Sequence, residues 1–347
     1  MNAITASTPR ISIAMATYNG SKYLLEQLDS LAAQTLTPYE LVVTDDGSID
    51  ATLEILNAFA QHAPFPVHIH LNPERLGYRD NFLKAARLCT GDLIAFCDQD
   101  DYWLPEKLKT VSKEFITKDI LLAVHDFYLA TANLEKNRHV KSPSANDPFS
   151  GELGFAMVFR RELALSESIK LPMAYSIGDD PYPINHDQWI VFLASSFGRC
   201  TNIHVPLVYY RQHANNTLGY GKKQHFNVSV PDLLQVKPLK YKNLSSRAQA
   251  MADSIRNIAS ITKSPISWNT RALASIIRWE KLAKLLLYRY EINKENSSFI
   301  NRNKYFFASL FQRGYSKKYL GHKALLKDAF VAVFGTKTLT QVLMLVK

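Results

Sequence analysis

Between residues 11 and 97, short apolar runs alternate with polar turns and stretches of helical periodicity, and this alternation limits the available folds more than any other property of the chain. Ile11–Ala16, Leu41–Thr44, Val67–Leu71 and Leu93–Phe96 read as strands. Between them, Leu24, Leu28, Leu31 and Ala32 recur at helical spacing, as do Leu53, Leu56, Phe59 and Ala60, and a third helix runs through Asn81 to Leu88. Strands separated by helices of about ten residues predict an α/β fold, a mostly parallel sheet covered by helices on both faces. Ligands of such sheets bind at the carboxyl ends of the strands. Thr17 and Tyr18, Asp45 and Asp46, and the run Asp98–Asp101 all fall at those ends.

Asp98, Asp100 and Asp101 put three carboxylates into four residues directly after an apolar strand. Like charges so close raise one another's pKa unless a cation lies among them. An all-oxygen cluster suits a hard divalent ion, Mg²⁺ or Mn²⁺, shared with a phosphate-bearing ligand. Taken alone, the stretch reads equally as a solvated acidic turn capping a helix that starts at Pro105. The convergence of three polar strand ends on one crevice favours the ligand site.

Further along, a basic helix is expected from Pro105 to Lys118, strands at Ile120–Ala130, Phe155–Phe159 and Ile203–Tyr210, and a helix at Ile190–Phe197 with Asp187 at its first turn. The proline-containing stretches Lys136–Ser150 and Leu171–Pro183, and the polar stretch Asn215–Lys223, read as loops. Residues 226–347 hold 21 Lys and Arg against 6 Asp and Glu, a net of +15, which leaves −5 for residues 1–225 out of +10 overall. The expected organisation is therefore an acidic front domain over 1–225 and a basic helical region over 226–347. Trp268–Tyr290 and Lys304–Val346 interleave apolar residues with basic ones, which fits either an anionic membrane surface or a bundle whose outer faces are basic. Cys89, Cys97 and Cys200 are widely spaced and read as buried thiols of a reducing compartment. No signal-peptide pattern and no membrane-spanning apolar run is evident, so the reading is a cytoplasmic protein, peripheral at most on the inner face of the membrane.

The ordered motifs resemble family 2 glycosyltransferases of the GT-A fold over roughly residues 10 to 220. They are Thr17-Tyr18-Asn19, a helix ending in Gln34-Thr35, the stretch Val42 to Asp50, then Asn72, Gly77 and Asn81, and Asp98 to Trp103. Trp103 and the later Tyr210-Arg211-Gln212-His213 most resemble bacterial surface-polysaccharide enzymes, rhamnosyltransferase-like members included. The resemblance implies a Rossmann-like sheet, a nucleotide-diphosphate sugar donor, a saccharide or lipid-linked saccharide acceptor, and inversion at the anomeric carbon.

In that frame Asp98 and Asp100 anchor the metal and the donor's diphosphate, and Asp101 is a helper or a helix cap. Ala16, Thr17 and Tyr18 line the nucleotide, and Asp46 holds the base or ribose. Asp45 has a nucleotide role or only a turn role. Asp187 matches the family's general base, with His186 orienting the base or the acceptor. Arg211 and His213 are placed on the diphosphate, a surface role being the alternative for His213. Processive polysaccharide synthases share the front motifs, yet their Gln-x-x-Arg-Trp signature is missing, Ser275 standing where Gln is needed before Arg278-Trp279. The remaining alternative is a non-catalytic nucleotide-binding scaffold with a basic docking tail, and no nucleic-acid partner is expected.

Overall fold

The computed structural model describes residues 8–143, 153–165, 184–214, 216, 238–261, 266–316 and 320–345. The first half follows the alternation: β1 (Ile11–Thr17), α1 (Ser21–Ala32), β2 (Glu40–Asp45), α2 (Thr52–Ala60), β3 (Val67–Leu71), α3 (Tyr78–Leu88) and β4 (Leu93–Cys97). The chain continues through β5 (Tyr102–Trp103), α4 (Lys107–Ser112), β6 (Ile120–Ala130), β7 (Lys136–Val140), β8 (Met157–Arg160), α5 (Glu162–Leu165), α6 (His186–Phe197) and β9 (Arg199–Arg211). The sheet order is β3-β2-β1-β4-β8-β6-β9-β5, with β7 added on β6.

β1 is parallel to β2 and β4, β2 to β3, and β6 to β9, while β8, β5 and β7 run against their neighbours. Every residue of β1, β2 and β4 is buried, as expected of central strands covered on both faces. Their carboxyl ends, Thr17, Asp45 and Cys97, align on one side, so the polar residues that follow them meet there.

Two stretches depart from expectation. Lys136–Val140 forms a strand, not a loop, because its backbone pairs with β6 across a turn at Thr131–Glu135. All its side chains but Val140 face solvent, so no apolar alternation marks it in the sequence. The helix after Pro105 is short and tightens into a 3₁₀ turn over Lys113–Ile116. The stretch 171–183 and most of 215–223 lie outside the described residues.

A second compact unit carries the C-terminal helices. They are α7 (Pro238–Ile261), α8 (Ile266–Asn293), α9 (Phe299–Phe311) and α10 (Gly321–Leu345), the last broken at Gly335, whose φ is 82°. Among the described residues no helix is long and apolar enough to cross a membrane.

Candidate functional site

Each strand end contributes a short polar turn, and hydrogen bonds tie the turns together. Thr17 Oγ1 donates to Asp45 Oδ2 at 2.7 Å, and Asp45 also accepts from the Gly47 and Ser48 N–H groups and the Ser48 hydroxyl. Asp45 is thus the buried acceptor that shapes its own turn. Asp46 is buried as well; its carboxylate accepts from Asn72 Nδ2 (2.6 Å), Leu76 N (3.1 Å) and Gly77 N (2.8 Å). Gly77 has a φ of 81°, a left-handed conformation that glycine adopts without strain. Asn72 also donates to Asn81, which reaches back to the Thr17 carbonyl. Asp46 therefore pins the 72–77 loop beside β1.

Tyr18 is half exposed at the open end of β1, next to buried Ala16 and Thr17. Its backbone is bracketed by Gln99, which accepts from the Tyr18 N–H at 3.0 Å and donates to its carbonyl at 3.2 Å. The Arg75 guanidinium lies 4.0 Å from the Tyr18 ring centroid. Periodicity does not single out Gln99 or Arg75, although Gln99 sits inside the acidic run.

The acidic turn holds three carboxyls in unlike environments. Asp98 is half-buried, and burial, then Asp100 and Asp187, push it up to about 7, with Lys107 pulling the other way. Asp101 is fully buried and raised by burial, Asp100 and Asp98. One of its oxygens accepts from the Arg211 N–H at 3.0 Å, and the other has no hydrogen-bond partner among the described residues. Asp100 pairs with His213 Nε2 at 2.9 Å. Beneath them Lys107, also fully buried, donates to the Phe155 carbonyl at 2.6 Å and lies 3.4 Å from the Trp103 ring centroid; burial lowers it to about 7.

The expectation that Arg211 contacts a diphosphate meets a guanidinium already engaged on each of its three nitrogens. It donates to the Asp100 and Ala132 carbonyls and to Glu26 Oε2, and packs over Tyr23. Arg211 braces the acidic turn from behind. Arg211→Met should cost about 2–3 kcal/mol, because two carbonyls and the Glu26 pair lose their donor in a packed site. Urea unfolding at neutral pH checks this, and a loss below about 0.5 kcal/mol would be ordinary surface behaviour.

Asp187 enters from α6. Asn185 and Gln188 close a capping box at the helix start, and the Tyr78 hydroxyl donates to Asn185 Oδ1 at 2.7 Å. Asp187 is buried in the first turn, where the helix dipole favours its charged form, and it accepts from the Gln188 N–H at 2.7 Å. The Tyr78–Asn185 bond and the His186 ring, 5.0 Å from that of Phe96 on β4, seat the start of α6 beside the strand that leads into the acidic turn, some ninety residues upstream in sequence. Beyond burial, the Asp187 charge raises both Tyr78 and Asp98. His186 stacks on Phe82 at 4.3 Å and meets Phe96 edge-on. Burial lowers it to about 3, so the ring is neutral across the physiological range. Packing of this kind fixes the start of α6 and with it the direction of Asp187.

Asp98, Asp100 and Asp101 thus follow the end of β4, Asp46 and its loop follow the neighbouring strand end, and the charge of Asp187 reaches Asp98. Among the described residues no three His, Cys, Asp or Glu side chains are grouped so as to hold a metal ion by themselves. The donor set still fits Mg²⁺ or Mn²⁺, which are held by one or two carboxylates and completed by substrate phosphates and water. The raised Asp98 and the partnerless Asp101 oxygen are what carboxylates show where cationic charge is in deficit.

Residues 12–176 match the model of a family described as Glycosyl transferase family 2. Chondroitin synthase of Escherichia coli is 30% identical over 263 residues, 71% of this chain and 36% of that protein. The E. coli protein named UDP-Glc:alpha-D-GlcNAc-diphosphoundecaprenol beta-1,3-glucosyltransferase WfaP is 25% identical over 209 residues, 59% of this chain and 78% of its own. A crystal structure of S. aureus TarS in complex with UDP-GlcNAc superposes with a TM-score of 0.46 at 18% identity, covering 89% of this chain and 93% of that one. Of several curated relatives, an uncharacterized glycosyltransferase of Nostoc sp. among them, the chain spans between about a third and two thirds of the length.

Proposed function

This chain carries a glycosyl transferase family 2 domain, matched over residues 12–176, and from that premise we propose that it moves a sugar, with inversion, from a nucleotide-diphosphate sugar to a saccharide or lipid-linked saccharide acceptor of surface-polysaccharide synthesis. The observation that carries the proposal is that hydrogen bonds join the ends of β1, β2 and β4, Thr17 to Asp45 and Tyr18 to Gln99 of the acidic turn, which sets the nucleotide candidates beside the diphosphate candidates.

In this reading the nucleoside lies along Ala16, Thr17 and Tyr18, with its base on the ring face where Arg75 now rests. Asp46 shapes this pocket through the 72–77 loop. Asp98 and Asp100 would hold Mg²⁺ or Mn²⁺, which when bound offsets charge on the departing diphosphate. His213 orients Asp100, while Asp101, Arg211 and Lys107 fix the turn from behind. Asp187 takes the proton of the acceptor hydroxyl as that oxygen attacks the face opposite the leaving group. The name of the E. coli relative WfaP, with its diphosphoundecaprenol-linked substrate, supports a lipid-linked acceptor. The basic second unit suits attachment to an anionic membrane face.

Calorimetric titration with UDP, GDP and dTDP tests the donor half. One nucleotide should bind about tenfold more tightly with Mn²⁺ than with EDTA, ~1.4 kcal/mol, and Asp100→Ala should bring the two conditions together. Equal binding with and without Mn²⁺ in the unmodified protein would remove the metal. Failure to bind any of the three, with no transfer from a panel of nucleotide sugars, would remove the transferase.

A further inference from the structure

Helix α9 is fixed on one side and bare on the other. Ser298 caps it, accepting from the Asn301 N–H at 3.2 Å, and Tyr305 and Phe306 pack against buried Ile292 and Val331. The outward side shows Phe299, Ile300, Phe307, Leu310 and Phe311, of which Ile300 is 77% and Phe311 85% exposed. At 100° per residue these five fall in a sector of about 120°. Leu326, Val333 and Phe334 of α10 are exposed as well. Single exposed apolar residues are ordinary, but a helix face made of five large ones marks a contact surface.

The surrounding charge identifies the partner. Residues 294–347 hold 10 Lys and Arg against 2 Asp and Glu, a net of +8, and Lys304 and Arg313 are exposed at the rim of the apolar face. Docking a second copy through this face would bring two such positive fields together, which opposes self-association. An anionic bilayer offers an apolar layer beneath negative headgroups, and an amphipathic helix with a basic rim lies in that interface. At 13 residues α9 is too short to cross a bilayer, about 20 Å against 30 Å, and is suited to lying in its plane.

We propose that α9 is the membrane-inserting element of this protein, placing Phe299, Ile300, Phe307, Leu310 and Phe311 below the headgroups of an anionic leaflet while Lys304 and Arg313 meet the phosphates. This deepens the membrane part of the proposed function and rests on the surface of the second unit alone, so it stands or falls separately from sugar transfer.

The test is flotation of the full chain with vesicles of 7:3 phosphatidylcholine and phosphatidylglycerol at physiological ionic strength. The protein should float with these vesicles and bind pure phosphatidylcholine at least tenfold more weakly. The double variant Phe307→Ser, Phe311→Ser should bind the anionic vesicles at least tenfold more weakly, with its circular dichroism and nucleotide binding unchanged. In a second measurement, Phe311→Trp should gain fluorescence that brominated lipids quench. The proposal is overturned if the unmodified chain stays at the bottom of the gradient, if neutral vesicles hold it as well as anionic ones, or if the double variant floats like the parent. It is equally overturned if the fluorescence gained by Phe311→Trp is not quenched, or if light scattering finds a dimer that the double variant dissolves.

Discussion

Asp187→Asn is expected to lower kcat for sugar transfer by about a thousandfold, within the range that a positioned general base supplies, while leaving nucleotide affinity within about threefold. The substitution keeps the shape of the side chain and an oxygen for the Gln188 N–H, so the first turn of α6 stays closed. It removes only the ability to accept a proton. A second readout separates this role from a structural one. Asp187 is among the charges that push Asp98 upward, so the Asn variant should let Asp98 ionise at lower pH and bind Mn²⁺ somewhat better below neutrality. A collapse of kcat together with tighter metal binding is the signature of a base; full transfer activity in the variant would take Asp187 out of that role. Steady-state kinetics on the transferred sugar and Mn²⁺ titration by calorimetry make the comparison.

The parallel half of the sheet was legible because β1, β2 and β4 are covered on both faces, and strands of that kind announce themselves as unbroken apolar runs. Their polar successors could then be placed at one edge from topology alone. What could not be read depends on partners distant in sequence. Lys107 looks like one more lysine of a basic helix, and nothing in its neighbourhood tells that it is buried over Trp103 and bonded to Phe155. Arg211 carries the charge a diphosphate wants, yet Glu26, Ala132 and Asp100, each at least 79 residues away, engage it. His186 adjoins Asp187 in sequence, but its ring belongs with Phe82 and Phe96. The strand β7 and the helix α7 carry weak apolar signals, the first because its side chains face water and the second because serines, asparagines and charges interrupt its pattern.

The second large effect concerns Asp98, and its sign reverses with metal. Burial and its carboxylate neighbours hold Asp98 at about 7 in the metal-free protein, above the ordinary 3.8 of an unfolded chain. A raised folded value means that the folded state prefers the protonated carboxyl. The group's contribution to stability is therefore complete below about pH 4 and is lost as pH rises through about 7. In EDTA at pH 8, Asp98→Asn should be more stable than the parent by roughly 2 kcal/mol, less than the full shift implies because the site is half open to water; at pH 4 the two should coincide. Lys107 does not cancel the cost, since burial brings it to about 7 as well and it sheds its own charge over the same range. Added Mn²⁺ should invert the order. The parent gains stability as the ion occupies the site, whereas the variant, lacking the ligand oxygen, should bind at least a hundredfold more weakly, ~2.7 kcal/mol. Because Asp98 must lose its proton to act as a ligand, Mn²⁺ affinity of the parent should fall about tenfold per pH unit below 7 and level off above it. Thermal melts across pH with EDTA or Mn²⁺ decide the matter: a variant less stable than the parent in EDTA at pH 8, or Mn²⁺ affinity that is flat from pH 5 to 8, would show that Asp98 is neither strained by its neighbours nor a metal ligand.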